Sequence, residues 1–435
     1  MRDIVLLAIV IPALILALRR PWIGVILWTW LSIMNPHRYT WGIAYSAPLA
    51  AAAAGCTLIG LLMTKDRASP VKGAPVNWLL AFMAWMTLSW LFGLNIEGDY
   101  EQWKKVMKVD FMLLVALALL HSKQHILALV SVCAASLALL GAKGGVFTLA
   151  TGGGGRVYGP PGSFISDNNE FALALVMTIP LLRFLQLQIQ KPLAKRLLLV
   201  TMVLCAVSAL GSQSRGAMLA ISAMAVMMWW RGKGNKFQVG VLVAIVAITL
   251  LAFMPDEWSN RMSTIKTYEE DGSAMGRINA WWAAWNMAQH YPFGVGFKPA
   301  TGELFARFAP EPTNVKAAHS IYFQVLGNHG FAGLALFLGI WISSWRMAGW
   351  LRSQKGVLPV NQWTVDLGAM CQVSLIGYLI GGAFLSLAYF DLPYNIMAIV
   401  VLTRAWVAKQ SWQTEPMEIP RWMSMMGFAV NNKAT

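Results

Sequence analysis

The sequence predicts an all-α polytopic membrane protein, and three observations predict it. Of the 435 residues, 57% are hydrophobic and only 12% are charged, whereas a soluble domain carries roughly 25% charged residues. Mean hydropathy is +0.55. The apolar residues also come in blocks of crossing length, about 17–25 residues of helix, parted by short clusters of lysine and arginine. A single transmembrane domain over residues 1–435 suits this pattern better than several soluble ones.

In chain order, the apolar segments fall at 3–18, 22–36, 44–63, 76–94, 104–121, 124–149, 169–187, 196–211, 214–230, 237–254, 319–347, 362–388 and 389–407. The first two are short and parted only by Arg19, Arg20 and Pro21, so they form one broken crossing or a shallow hairpin. Counted as one, they leave about 12 transmembrane helices, with both chain ends on the cytoplasmic side. The stretch MRDIVLLAIVIPALILALRR has no small-residue cleavage site and is expected to be retained.

The basic clusters Lys65/Arg67/Lys72, Lys191/Lys195/Arg196, Arg231/Lys233/Lys236 and Arg346/Arg352/Lys355 alternate as cytoplasmic loops do. Four stretches then face outward: 92–103, 151–170, the SQSRG turn at 212–216, and the long segment 255–318. The net charge of +15 is accounted for by those loops. No basic stripe interleaved with aromatics marks a soluble face, so nucleic acid is excluded as a partner. Cys56, Cys133, Cys205 and Cys371 lie inside apolar segments, where cysteine acts as a small hydrophobe, and their spacing matches no zinc site.

The large outer loop contains MGRINAWWAAWNMAQHYP, in which Ile278, Trp281, Trp282 and Trp285 recur at helical spacing. The pattern predicts an amphipathic helix that lies along the membrane surface, covers the top of the bundle, or does both.

Ionisable residues inside membrane segments mark function by default. Here Lys105, Lys108, Asp110, Lys143 and Arg215 sit near segment ends, and none sits at the midplane. A coupled transporter needs midplane charge and paired repeats, and this chain shows neither. The polar chemistry collects at the outer surface instead. It comprises Arg156, Arg215, Arg261, Arg277 and Arg307, a run of acids (Asp256, Glu257, Glu269, Glu270, Asp271) that reads as a solvated turn, and His319. His319 stands where a long apolar helix begins, a place a Ser or Asp cap would ordinarily take. HExxH, DxD and GxSxG patterns are absent, so a site without metal or other cofactor is expected.

Such a set suits glycosyl transfer from a lipid diphosphate. The leaving diphosphate gathers charge that arginine stabilises through bidentate contacts, and the incoming hydroxyl needs a base near neutrality, usually histidine. Each residue also has a plainer reading. His319 would be an interfacial helix cap, Arg215 a snorkelling anchor, Arg277 a cation–π partner of the neighbouring tryptophans, and Tyr322 an ordinary interfacial aromatic. His329 reads as structural.

Four motifs resemble those of the bacterial O-antigen ligases and their relatives. GSQSRGAMLA (211–220) resembles the family's S-R-G turn, and GRINAWWAAWNMAQHYPFGVGF (276–297) its Arg-led amphipathic helix followed by P-x-G-x-G. HSIYFQVLGNHGFAGL (319–334) resembles the histidine-led helix after the large periplasmic loop, and RVYGPPGSFISDNNEFALAL (156–175) the earlier Arg…Gly…Asn segment. Order and spacing agree over residues 150–345, while RRPWIGVILWTWLSIMNPHR resembles the exosortase-associated branch of O-glycosylation ligases. Ser320 stands where the family commonly has Asn, and His329 where it commonly has an acid.

The resemblance implies a GT-C-like, metal-independent, inverting glycosyltransferase of lipopolysaccharide biosynthesis in the bacterial inner membrane. It would move polysaccharide from undecaprenyl diphosphate to a hydroxyl of the lipid A–core oligosaccharide at the periplasmic face. By position, His319 would be the general base or orient the acceptor, Arg215, Arg277 and Arg156 would hold the diphosphate, and Tyr322 would line the acceptor side. O-antigen polymerases and protein O-oligosaccharyltransferases use the same donor with other acceptors, and a transporter of lipid-linked sugars is the reading from another class.

Overall fold

The computed structural model describes residues 1–231, 272–354, 362–415, 424–425 and 427–428. The expected segment at 237–254, the first part of the outer loop at 255–271 with Arg261 and its acids, and Lys233, Lys236 and Lys355 lie outside the described residues. The helices are α1 (Arg2–Arg19), α2 (Pro21–Met34), α3 (Leu49–Met63), α4 (Ala74–Leu91), α5 (Ile96–Leu119), α6 (Lys123–Ala150) and α7 (Asn168–Gln188). They continue with α8 (Pro192–Gly211), α9 (Arg215–Arg231), α10 (Gly272–His290), α11 (Gly302–Phe308), α12 (Ile321–Ser353), α13 (Gln362–Gly381) and α14 (Asp391–Ala408).

Among the described residues, six helices are long and apolar enough to cross a membrane: α4, α6, α7, α8, α12, and α13 with its 3-10 extension to Phe384. α2, α3 and α9 are apolar but shorter. The chain is therefore a polytopic helical membrane protein. Large apolar side chains stay outside the packed interior, as on α1, where Ile4, Val5, Ile9, Ile11 and Ile15 are exposed while Leu6, Val10 and Ala17 are buried. An apolar exterior of this kind is matched to lipid.

α1 and α2 form a hairpin. Arg2 donates to the carbonyl of Tyr39 at 3.2 Å, and Asp3 accepts from the amides of Gly42 and Ala44 at 3.1 Å each. The start of α1 thus lies beside the chain that leaves the end of α2, so the two helices run antiparallel about Arg20, and the broken-crossing alternative is ruled out. Pro21 sits in the first turn of α2, where its missing N–H costs nothing.

α14 is the hub. Its residues from Asp391 to Thr403 are buried without exception, and it packs on α2, α5, α6, α12 and α13. With lipid as apolar as leucine, such contact is held by dispersion and close approach rather than by escape from water. α6 and α8 show how. A Cβ on Gly145 would strike the backbone carbonyl of Leu204, so a larger residue there would separate the two helices.

α12 is broken by design. Gly330 takes φ 68° inside it, a left-handed conformation that favours glycine. The P-F-G-V-G-F turn fills the break. Val295 and Gly296 donate to the carbonyls of Gly327 and Asn328 at 3.4 and 3.1 Å, which meets the demand that a kink creates for new partners. Asp99, at the start of α5, accepts from the amide of Phe297 at 2.7 Å and fixes the turn from the other side. His329 beside the kink is fully buried and bonded to the Tyr389 hydroxyl at 2.7 Å, a structural role as expected.

Candidate functional site

His319 is delivered by a loop laced onto a helix. The Asn279 side chain of α10 donates to the carbonyls of Glu311 and Asn314 at 2.9 and 3.1 Å and accepts from the Glu311 amide at 2.8 Å. Asn286 donates to the carbonyl of Phe308 at 2.8 Å. The Trp281 indole N–H donates to the carbonyl of Ala318 at 2.7 Å, and its ring stacks on Phe323 with centroids 5.0 Å apart and planes 6° from parallel. The chain therefore reaches His319 already fastened on both sides.

α10 itself is amphipathic, but with its faces allotted differently from the pattern in the sequence. Ala280, Ala283, Ala284 and Met287 are buried, while Trp282 and Trp285 are exposed. Ala280, Ala283 and Met287 pack against Leu304, Phe305 and Phe308 of α11 in a small core of their own, and Ala284 meets Gly327 of α12, so the helix joins its own loop to the bundle.

His319 is not the cap of α12. Ser320 holds that position, without a side-chain cap bond, and His319 precedes it at φ 43°. A left-handed backbone in a non-glycine residue costs of order 1–3 kcal/mol and persists where the surroundings impose it. Here the laced loop that leads into it imposes it.

Two acids at the start of α7 border the site: Asp167 faces His319, and Glu170 faces Arg277. Asp167 caps that helix, accepting from the backbone and side-chain nitrogens of Asn169 at 2.9 Å each. Burial pushes the Asp167 carboxyl up, but hydrogen bonds from the Asn169 amide, Glu170 and the Asn169 side chain, with the charge of His319, outweigh it and hold the carboxyl below its ordinary value of 3.8. Glu170, one turn inward, is buried, hydrogen-bonds Asp167 and faces the charge of Arg277.

His319 is pulled both ways. Burial, followed by the positive charge of Arg277, holds the imidazole below its ordinary value of 6.5, with Lys316 acting in the same direction and Asp167 opposing. A half-buried imidazole held in its neutral form at neutral pH can accept a proton. Arg277, in the second turn of α10, is half-buried and stands within electrostatic reach of both His319 and Glu170.

The other expected residues assemble around the S-Q-S-R-G turn. Asn168 donates to the carbonyl of Ser212 at 2.6 Å, which clamps the start of α7 to the turn. Arg156 donates from Nε to Gln213 at 3.3 Å, and Gln213, at φ 57°, donates to the carbonyl of Gly153 at 3.4 Å. Arg215 follows as the first residue of α9, half-buried. A Cβ on Gly216 would sit 3.3 Å from Phe384, and one on Gly382 would sit 2.8 Å from Ile321. The turn after α13 thus lies between Arg215 and the start of α12. Tyr322 donates its hydroxyl to the carbonyl of Leu379 at 2.8 Å and packs its half-buried ring against the core.

The structure accordingly gathers Arg156, Arg215, Arg277 and His319 on elements that meet at one end of the bundle. Asp167, Glu170, Gln213 and Lys316 join them and were not singled out from the sequence. Only the SDNNE run at 166–170, a helix-start pattern flush with an apolar segment, hinted at the two acids. Among the described residues, no three His, Cys, Asp or Glu side chains converge as a metal site.

The fold and this cluster define a helical membrane protein with a cationic, histidine-bearing site at one end of its bundle. Residues 200–338 match the family model of the O-antigen ligases. The resemblance carried by the S-R-G turn, the Arg277 helix and the His319 helix is borne out over that stretch. Residues 1–190, which contain Arg156, Asp167 and Glu170, match a family of unknown function (DUF5935). No curated protein matches the chain.

Proposed function

We propose that the protein is an O-antigen ligase. It moves polysaccharide from undecaprenyl diphosphate to a sugar hydroxyl of the lipid A–core oligosaccharide, inverting the anomeric centre, without metal. The observation that carries this reading is the meeting of His319 with Arg277 and Asp167, within and beside a stretch that matches the O-antigen ligases. In the same reading the chain crosses the inner membrane about 12 times in a GT-C-like arrangement, with residues 255–318 and the His319 site facing the periplasm.

The chemistry follows from the residues. The acceptor hydroxyl oxygen attacks the anomeric carbon of the donor sugar, and its proton passes to the neutral imidazole of His319. The bond from that carbon to the phosphate oxygen breaks, and the diphosphate leaves with the electron pair. Arg215 and Arg277, with Arg156 at the rim, hold the diphosphate and offset its growing charge. As His319 takes the proton, the negative charge of Asp167 stabilises the imidazolium, which makes Asp167 a positioning residue for the base.

The test uses purified full-length protein with lipid-linked polysaccharide and lipid A–core in EDTA, and follows polysaccharide attachment on a gel. Product from the wild type and none from His319→Ala is expected. Product from both would return His319 to a structural role. Product from neither, with a polymer or a glycosylated protein formed when those acceptors are supplied, would replace the ligase reading with one of its relatives.

A further inference from the structure

A second group of charges meets beside Gly162 and Phe164 of the 156–167 segment. Arg38 lies in the 3-10 turn Pro36–Tyr39 after α2, Lys105 on α5, and Lys143 near the end of α6. The Arg38 guanidinium lies 3.6 Å from where a Cβ on Gly162 would sit, and the Lys105 ammonium lies 3.7 Å from the centroid of the Phe164 ring. Lys143 stands 5.4 Å from the ring of Tyr39, the chain neighbour of Arg38, which itself faces the Tyr45 ring at 5.3 Å. Arg38 and Lys105 are close enough for their charges to repel.

All three cations rest on aromatic faces, and among the described residues none has an ion-pair partner or a side-chain hydrogen bond. A ring face attracts an exposed cation only weakly and leaves the charge free for a second partner. The acids beside Lys105 do not close over it. Asp391, which attracts Lys105, and Asp110 behind it are both 2% exposed, and Asp391 already takes the hydroxyl of Ser32. Lys105 and Lys143 remain exposed. Three like charges converging from three elements raise the local potential and favour an anion there.

We propose that Arg38, Lys105 and Lys143 form a binding site for the phosphate groups of a glycolipid headgroup. A guanidinium fork flanked by two ammonium groups suits phosphate oxygens. Arg38 lies just past the end of α2 and Lys143 within two turns of the end of α6, where a headgroup sits when its acyl chains lie in the bilayer. The segment carrying Gly162 and Phe164 runs on within a few residues to Asp167, which faces His319. Phosphate held beside Gly162 and Phe164 therefore lies a short stretch of chain from the residue that faces the base. The phosphate recognition stands by itself, and its assignment to the acceptor rests on the transferase reading.

The experiment uses full-length protein in phosphatidylcholine nanodiscs and radiolabelled lipid A–core carrying two phosphates. The charge-removing triple variant Arg38→Gln/Lys105→Gln/Lys143→Gln is expected to bind about tenfold more weakly or worse. The charge-keeping variant Arg38→Lys/Lys105→Arg/Lys143→Arg is expected to restore binding, which separates loss of charge from loss of fold. Dephosphorylated lipid A–core is expected to bind the wild type as weakly as the phosphorylated form binds the glutamine variant. In transfer assays the glutamine variant raises the acceptor KM and leaves kcat unchanged. Equal binding by wild type and glutamine variant would overturn the proposal. So would equal competition by phosphatidylglycerol, which would make the three cations a general lipid anchor. Phosphate-dependent binding without any transfer would keep this site and remove the ligase reading, and transfer with charge-independent binding would do the reverse.

Discussion

At the scale of single residues, the site is a balance of charges around one imidazole, and the balance has a sign that can be measured. Burial and Arg277 favour neutral His319, while Asp167 favours its protonated form. Transfer that needs the neutral base is lost as pH falls through the folded pKa, so the acid limb of kcat/KM is expected below the ordinary 6.5. Asp167→Asn removes the group that raises the pKa and moves that limb to lower pH. Arg277→Gln removes one that lowers it and moves the limb to higher pH. Shifts in the same direction for both variants would sink the assignment. Arg215→Ala or Arg277→Ala is also expected to lower the rate by about 10²–10³, the usual effect of losing one preorganised charge donor. Steady-state transfer with saturating donor measures this, and wild-type turnover in both variants would remove the diphosphate role.

At the scale of elements, the helix limits were largely legible, because hydropathy and punctuation coincide. Pro192 opens α8, the Asp167 cap opens α7 and Gly211 closes α8, all within a few residues of the apolar blocks. Two things were not legible. α5 begins at Ile96, well before its apolar part, because Asn95 caps it and accepts from the Gly98 amide at 3.0 Å, which extends a helix through charged residues. Asp167 and Glu170 are not legible because what sets them apart is their place beside His319 and Arg277, far along the chain, and no local pattern encodes that. The loop that presents His319 gives a direct test. Trp281→Phe keeps the stack on Phe323 and loses the bond to Ala318, and is expected to destabilise the loop by about 1 kcal/mol. Faster amide exchange at 314–320 with an unchanged melting temperature for the bundle would show it. An unchanged exchange rate would mean that the two asparagines suffice.

At the scale of the whole molecule, the bundle depends on backbones that approach closely where lipid offers no hydrophobic drive. Gly145→Leu is expected to separate α6 from α8 and to destabilise the protein by about 1–3 kcal/mol. Gly330→Ala combines a left-handed φ with a Cβ 2.7 Å from the carbonyl of Pro292, and is expected to cost about 1–3 kcal/mol. Thermal unfolding in detergent measures both. A Gly330→Ala protein as stable as wild type would show that α12 straightens at no cost.

The lacing of residues 308–318 onto α10 has a consequence for how such a chain can change. Five of the six hydrogen bonds between this stretch and α10 — those made by Asn279, Asn286 and Trp281 — meet its backbone, and the sixth runs from the Lys316 side chain to the Gly272 carbonyl. Its side chains are thus free to vary with little effect on where the loop runs. The three anchoring residues act as a fixed jig, and the surface beside His319 can be rewritten while the imidazole stays in place.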